Sequence, residues 1–560
     1  MASKPSIAVV ACLALALLAC GGGESSVTPP PPPPPPPTPA AVTQVEAFRF
    51  LNQASFGASE TEAAALRALG NSSNAYGLWI DQQMAITPSL HLPTVLTAYD
   101  LLPAGTAPGA VHNDRVELWL RSAVSAPDQL RQRVAFALSE ILVVSQLGGL
   151  QQRPLAVTDY YDILVRGAFG NYRQLLEDVT LSPAMGVYLS MLGNQKPDPA
   201  RNIRPDENYA RELLQLFTIG LVELNADGSI RRDAQDQPIP TFNQATIEGF
   251  AHVFTGWKWA WTAPGTPNFA TVRSNRTNEM LPMQAYPEQH ATGTKQLLGT
   301  TVLPANQTMA KDLDDALDNI FAHRNVGPFI ARRLIQRLVT SNPSPAYVAR
   351  VVARFENNGS GVRGDLGAVV RAILLDDEAR SAPATAQTGK LKEPLLRLTQ
   401  LWRAYGARAA NGRYQLQPAN TFGQAPLQAA SVFNFFSPFY APPGEIAESN
   451  WVAPEMQIAT EYQNTAVTNF LYQQVFNRNS SSIGLPETAI AIDTLTEQTL
   501  IADPEALVTK IADKLMGGQI STTLRTAARA QLERRAATDN QRVAEALYLI
   551  VSSPEFALQR

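Results

Sequence analysis

Cysteine is almost missing from this sequence. Cys12 and Cys20 are the two in 560 residues, so beyond Cys20 disulfides, thiol catalysis and cysteine-ligated zinc are all excluded. A core drawn from the 45% hydrophobic residues must supply the stability that cross-links do not. Histidine is sparse as well. His91, His112, His252, His290 and His323 are scattered, with no His-Glu-x-x-His and no pair four residues apart, so no metal site is expected. A basic excess is also lacking: the net charge of −4 gives no electrostatic footprint for nucleic acid. Neither a Gly-x-Ser-x-Gly elbow nor a Walker loop occurs, which argues against the common hydrolase and nucleotide sites, and no cofactor is indicated.

What is present begins at the first residues. Lys4 precedes an apolar run from Ile7 to Ala19, short for a membrane span of about 20 residues but suited to the core of a signal peptide. The run ends Leu17-Leu18-Ala19-Cys20-Gly21, which resembles the processing box of bacterial lipoproteins, where the cysteine is lipidated and becomes the new N-terminus. Residues 1–19 are therefore read as a signal peptide and Cys20 as the lipidation site. Gly21, standing where an aspartate is associated with inner-membrane retention, implies the outer membrane. Residues 20–41 then form a Gly-, Ser- and Pro-rich spacer, in which Pro29 to Pro37 can extend only as polyproline II, roughly 30 Å at about 3.1 Å per residue. The expected address is the cell envelope, facing the periplasm or the cell surface.

Residues 42–560 read as a mainly α, large multi-helix globular domain with a small β-hairpin insertion. Ser59 and Glu62 form a capping box, and Asp365 caps a helix running to Leu375. Apolar periodicity predicts helices over Asp114–Val124 and Asp128–Val144, with Arg115, Arg121, Arg131 and Arg133 on their outer edges. Ala226-Asp227-Gly228-Ser229 reads as a hairpin turn between Val222–Asn225 and the stretch from Ile230. Ala260 to Leu303 is an irregular excursion rich in Pro, Gly and Thr. Gly359-Ser360-Gly361 reads as a loop in a polar stretch.

The candidate site centres on Arg204-Pro-Asp-Glu-Asn-Tyr-Ala-Arg-Glu-Leu-Leu-Gln-Leu-Phe-Thr-Ile-Gly220. Pro205 suits the first turn of a helix, Asp206 and Glu207 favour its positive end, and Gly220 suits its stop. Asn208, Arg211, Glu212 and Gln215 then share a stripe opposite the apolar face. Glu207 and Glu212 can act as acid and base, ligate a hard cation or clamp a polar ligand. The alternative is a purely structural polar network, with Glu207 paired to Arg211. His290 and Lys295 lie in the excursion, where a loop carrying both can lid a site. Trp257, Trp259 and Trp261, and the cluster Phe433, Phe435, Phe436, Phe439 and Tyr440, are expected in the core on their buried area, with stacking on sugar rings as the other reading.

Several of these segments occur together in a known family. Leu51-Asn-Gln-Ala-Ser-Phe-Gly57, Gln129-Leu-Arg-Gln-Arg-Val-Ala-Phe-Ala-Leu-Ser139, Pro205-Asp-Glu-Asn-Tyr-Ala-Arg-Glu212, Phe254-Thr-Gly-Trp257 and Ser553-Pro-Glu-Phe556 resemble the bacterial domain of unknown function 1800 family. The resemblance runs from about Val45 to the C-terminus and implies one family-wide domain of exported proteins. It further implies a partner among exported proteins of the domain of unknown function 1501 family. The family's His-Asp-x-Gly-x-Lys stretch matches His290, Gly293 and Lys295 but has Ala291 at the aspartate position. Two functions are expected from these readings. One is a lipid-anchored protein that binds or assembles an envelope polysaccharide or an exported partner, with Asn208, Arg211, Gln215, Lys295 and Trp257 as contacts. The other is a hydrolase or transferase using Glu207, Glu212 and His290.

Overall fold

Helix caps written in the sequence start the fold. The Thr43 hydroxyl accepts from the Glu46 amide while the Glu46 carboxylate accepts from the Thr43 amide, opening the helix Gln44–Ala54. Ser59 and Glu62 repeat the device for Glu60–Ala68. The computed structural model describes residues 40–381, 389–479, 484–534 and 537–560. The residues read as a signal peptide, Cys20 and most of those read as a spacer lie outside the described residues. From Ala40 onward the chain forms a single unit, mainly α as its sequence predicts.

At its centre the helix Gln129–Ser139, buried along its whole length, packs against Pro154–Gly167 and Val326–Leu338. The expected helix to Val144 thus stops early, and Glu140 leaves the helical line. The predicted outer arginines are corrected too: Arg115, Arg131 and Arg133 are buried. Each guanidinium ends on backbone carbonyls, Arg115 on Pro426 at 3.0 Å, Arg131 on Met84 at 3.1 Å and Arg133 on Arg337 at 2.6 Å. Periodicity places a long basic side chain at a margin without revealing what covers it.

Strands among the described residues are short antiparallel pairs, Trp257–Lys258 with Gln284–Ala285, Lys295–Gln296 with Val302–Leu303 and Lys390–Leu391 with Leu558–Gln559. The hairpin lies where it is expected, with Leu224 bridging Ile230. Asp227 Oδ1 accepts from the Ser229 amide at 2.9 Å and so tightens the turn. A second turn follows, in which Arg232 bridges Pro238. Gly359, Gly361 and Gly364 carry the spacing of a dinucleotide fingerprint, but they follow the helix Pro345–Glu356 rather than a strand. Their loop amides are taken by Asn357 and Asn358 side chains, so the strand-turn-helix context such a motif needs is missing.

Candidate functional site

The Arg204–Gly220 segment is shorter as an α-helix than its sequence predicts. Asp206 Oδ1 accepts from the Asn208 amide at 2.8 Å, and the α-helix runs only over Asn208–Glu212. Leu213–Thr218 then widens into a π-helical turn, in which the Thr218 hydroxyl donates to the Leu213 carbonyl at 2.6 Å. Such insertions recur at functional sites because they redirect the side chains that follow. Glu207 accepts from Arg211 Nη2 at 2.9 Å and from Gln244 Nε2 at 2.9 Å. Asn208 is exposed. Glu212 is buried, its Oε2 has no hydrogen bond among the described residues, and burial raises its proton affinity while Arg211 opposes the shift.

His290 and Lys295 meet a carboxylate after all, from a different element. Asp312, on the helix Met309–Phe321, presents Oδ2 to His290 Nε2 at 2.8 Å and to Lys295 Nζ at 2.7 Å. His290 Nδ1 lies 3.0 Å from the Thr255 carbonyl, and Lys295 Nζ donates to the Gly293 carbonyl at 3.1 Å. Burial favours the neutral form of Asp312, but the hydrogen bonds and charges of its two partners outweigh it and hold the carboxyl below its usual range. The expectation of a lid is corrected here. Both the Lys295 and Asp312 side chains are fully buried and His290 nearly so, making the cluster a pin between excursion and helix. Trp257 is likewise buried, packed in the core. Three cavities of about 480 to 600 Å³ among the described residues are lined by none of Glu207, Glu212 and His290.

One expected residue does reach a cavity. Gln215, on the π-helical turn, lines a space of about 480 Å³ with Leu216 and Gly220, within the usual range for small-ligand sites. The hairpin contributes Val222 and Ile230, the Val326–Leu338 helix contributes Phe329, Arg333 and Arg337, and residues 432–439 close the opposite side. The last stretch revises the aromatic reading. Phe436 is buried as expected, but Phe433 and Phe439 are 57% and 62% exposed. Gln336 Nε2 holds the stretch by donating to the Pro438 carbonyl at 3.3 Å, and Asn434 sits in left-handed backbone at φ 69°. Asparagine tolerates this region through local hydrogen bonding of its short polar side chain.

Glu140 forms part of the cavity wall, where its departure from the helix places it. Its Oε1 accepts from Gln424 Nε2 at 3.3 Å, and the same Nε2 donates to Glu393 Oε2 at 2.7 Å. Glu140 Oε2 has no hydrogen bond among the described residues and meets Arg337 Nε at 3.6 Å. Burial, and secondly Glu393, raise the Glu140 proton affinity, while Arg337 and Lys390 oppose them. Glu393 shifts the other way, because Lys390, Arg337 and Arg133 together outweigh its burial. Glu140 is thus the member of the pair that favours the proton and Glu393 the member that favours ionisation.

Sequence reasoning missed Glu140, Arg333, Arg337, Asn434 and Asp312. Two signals were legible, a lone acid inside the apolar run from Val134 to Val144 and the four-residue spacing of Phe329, Arg333 and Arg337. Among the described residues no group of three or more His, Cys, Asp and Glu side chains is placed to hold a metal ion.

The family described as Protein of unknown function (DUF1800) matches residues 49–558. No curated protein and no solved structure matches the chain. The matched span takes in the Asn208–Glu212 helix, the Asp312 pin and every residue lining the aromatic cavity, and the chain belongs to the DUF1800 family.

Proposed function

We propose that this chain is a lipid-anchored protein of the bacterial cell envelope whose folded body binds an envelope polysaccharide in the cavity between Gln215, Arg333 and Phe433. The observation that carries the reading is the pairing of exposed aromatic rings at Phe433 and Phe439 with buried polar atoms that make no hydrogen bond among the described residues, Glu140 Oε2 and Asn434 Nδ2. Aromatic faces cover the apolar side of a sugar ring while such polar atoms take its hydroxyls. The anchor follows from Leu17–Gly21 and the reach from the proline spacer. The outer membrane is the proposed address, and an exported DUF1501 protein the proposed neighbour, to be sought by co-purification.

Two measurements test the reading. Labelled palmitate should enter the wild-type chain and not Cys20→Ser, which should also lose its membrane association. Affinity electrophoresis against purified envelope polysaccharides should retard the wild-type protein and not the Phe433→Ala/Phe439→Ala double variant. Equal migration of both proteins through every polymer would overturn the binding role.

A further inference from the structure

The cavity carries more cation than anion. Arg333 is 8% exposed, and its Nη1 donates to Gln336 Oε1 at 3.2 Å. The guanidinium carbon lies 5.0 Å from the Phe329 ring centroid and 4.4 Å from that of Phe439. No carboxylate of the described residues stands within ion-pair distance of it. Arg337, one turn further on, lies 4.4 Å from the Phe436 centroid and meets Glu140 at 3.6 Å. Asn434 adds a buried donor at Nδ2 with no hydrogen bond among the described residues. Burial lowers the proton affinity of Arg333, to about 9, and the neighbouring Arg332 and Arg337 act in the same direction. The side chain is still a cation at neutral pH, and a buried cation without a counter-charge is costly to the fold that holds it.

We infer that the cavity takes a carboxylate-bearing sugar of the polysaccharide, with Arg333 meeting the carboxylate, Asn434 donating to an oxygen, and Phe433 and Phe439 covering the ring. The inference rests on the polysaccharide reading given above and narrows its ligand to an acidic sugar. A guanidinium presents a planar fork of donors that matches a carboxylate, and the low-dielectric wall of rings strengthens the contact. A neutral sugar would leave Arg333 as unpaired as before.

Calorimetric titration of the purified protein with an oligoglucuronate, and with the same oligomer after reduction of its carboxyls, decides the matter. The acidic oligomer should bind about tenfold tighter or better, and the margin should narrow as salt rises. Arg333→Gln should bring the acidic oligomer down to the affinity of the neutral one. The melting temperature of that variant should hold or rise, since a buried unpaired charge is removed; a purely structural Arg333 would instead give a fall. Equal binding of the two oligomers by the wild-type protein overturns the acidic-sugar inference and leaves the polysaccharide reading standing. Binding of neither overturns both, and preference for a polyglutamate peptide over both sugars overturns them in favour of a protein ligand.

Discussion

Two buried charged clusters in this molecule differ in one respect that separates scaffold from site. Around Asp312 every charge faces an opposite one: Lys295 and His290 both reach Oδ2 within 2.8 Å, the lysine and aspartate have no exposed side-chain surface, and only Oδ1 lacks a hydrogen bond among the described residues. Around Arg333 the reverse holds. A guanidinium is buried between two rings, Glu140 Oε2 and Asn434 Nδ2 lack hydrogen bonds, and rings on the rim are open to solvent. Both clusters contain the residue types that attract attention in a sequence. Whether the buried charge has a counter-charge, more than residue type, separates the first, a fastening, from the second, the place proposed for a ligand.

The comparison breaks most sharply at Asp312. Replacing it by Asn leaves Lys295 buried without a counter-charge, and thermal or urea denaturation should register a loss on the order of 3–5 kcal/mol. A variant as stable as the wild type would mean that the sealed cluster is not a fastening. Next in size is the Phe433→Ala/Phe439→Ala double variant, which should lose about tenfold or more in oligosaccharide affinity. Because both rings are more than half exposed, its stability should change by only about 0.5 kcal/mol per site. If instead the variant melts early with affinity intact, the rings belong to the core after all.

Glu140 sharpens the contrast through pH. Its native proton affinity is raised, so the stability of its protonated form is fully present below the unfolded pKa and is lost as pH rises through the elevated native value. Glu140→Gln keeps the shape without the ionisation, and should flatten the decline in melting temperature between mildly acidic and mildly alkaline pH. The smallest effect is expected at Glu207→Gln. Its partner Arg211 is 41% exposed and Glu207 32%, and half-exposed pairs of this kind contribute about 0.5 kcal/mol at most. A larger loss there, with binding reduced as well, would return the Asn208–Glu212 helix to the centre of the site.

Much of the architecture is legible before folding because it is set locally. Thr43 with Glu46 and Ser59 with Glu62 fix helix starts through bonds three residues apart, and Asp227-Gly228 fixes a turn through one two residues apart. The site is less legible for the opposite reason. Periodicity identified the polar stripe that carries Gln215 but not what lies across from it. The same limit put Arg131 and Arg133 on an outer edge when a second layer covers both, and left Phe433 and Phe439 in a core that only Phe436 enters.

By itself the sequence determined the helical class, the hairpin, the caps and family membership, since these follow from neighbours a few residues apart or from motifs read in order. Tertiary structure alone decided which charges find partners. Ala291 stands where the family pattern has an aspartate, and Asp312 supplies His290 with a carboxylate from 22 residues along the chain. Glu140, Gln215, Arg333 and Asn434 come from four separate segments, and no local pattern could place them around one cavity. Coulomb and hydrogen-bond energies depend on distance in space, so the pairing that distinguishes fastening from site is settled only when the chain has folded.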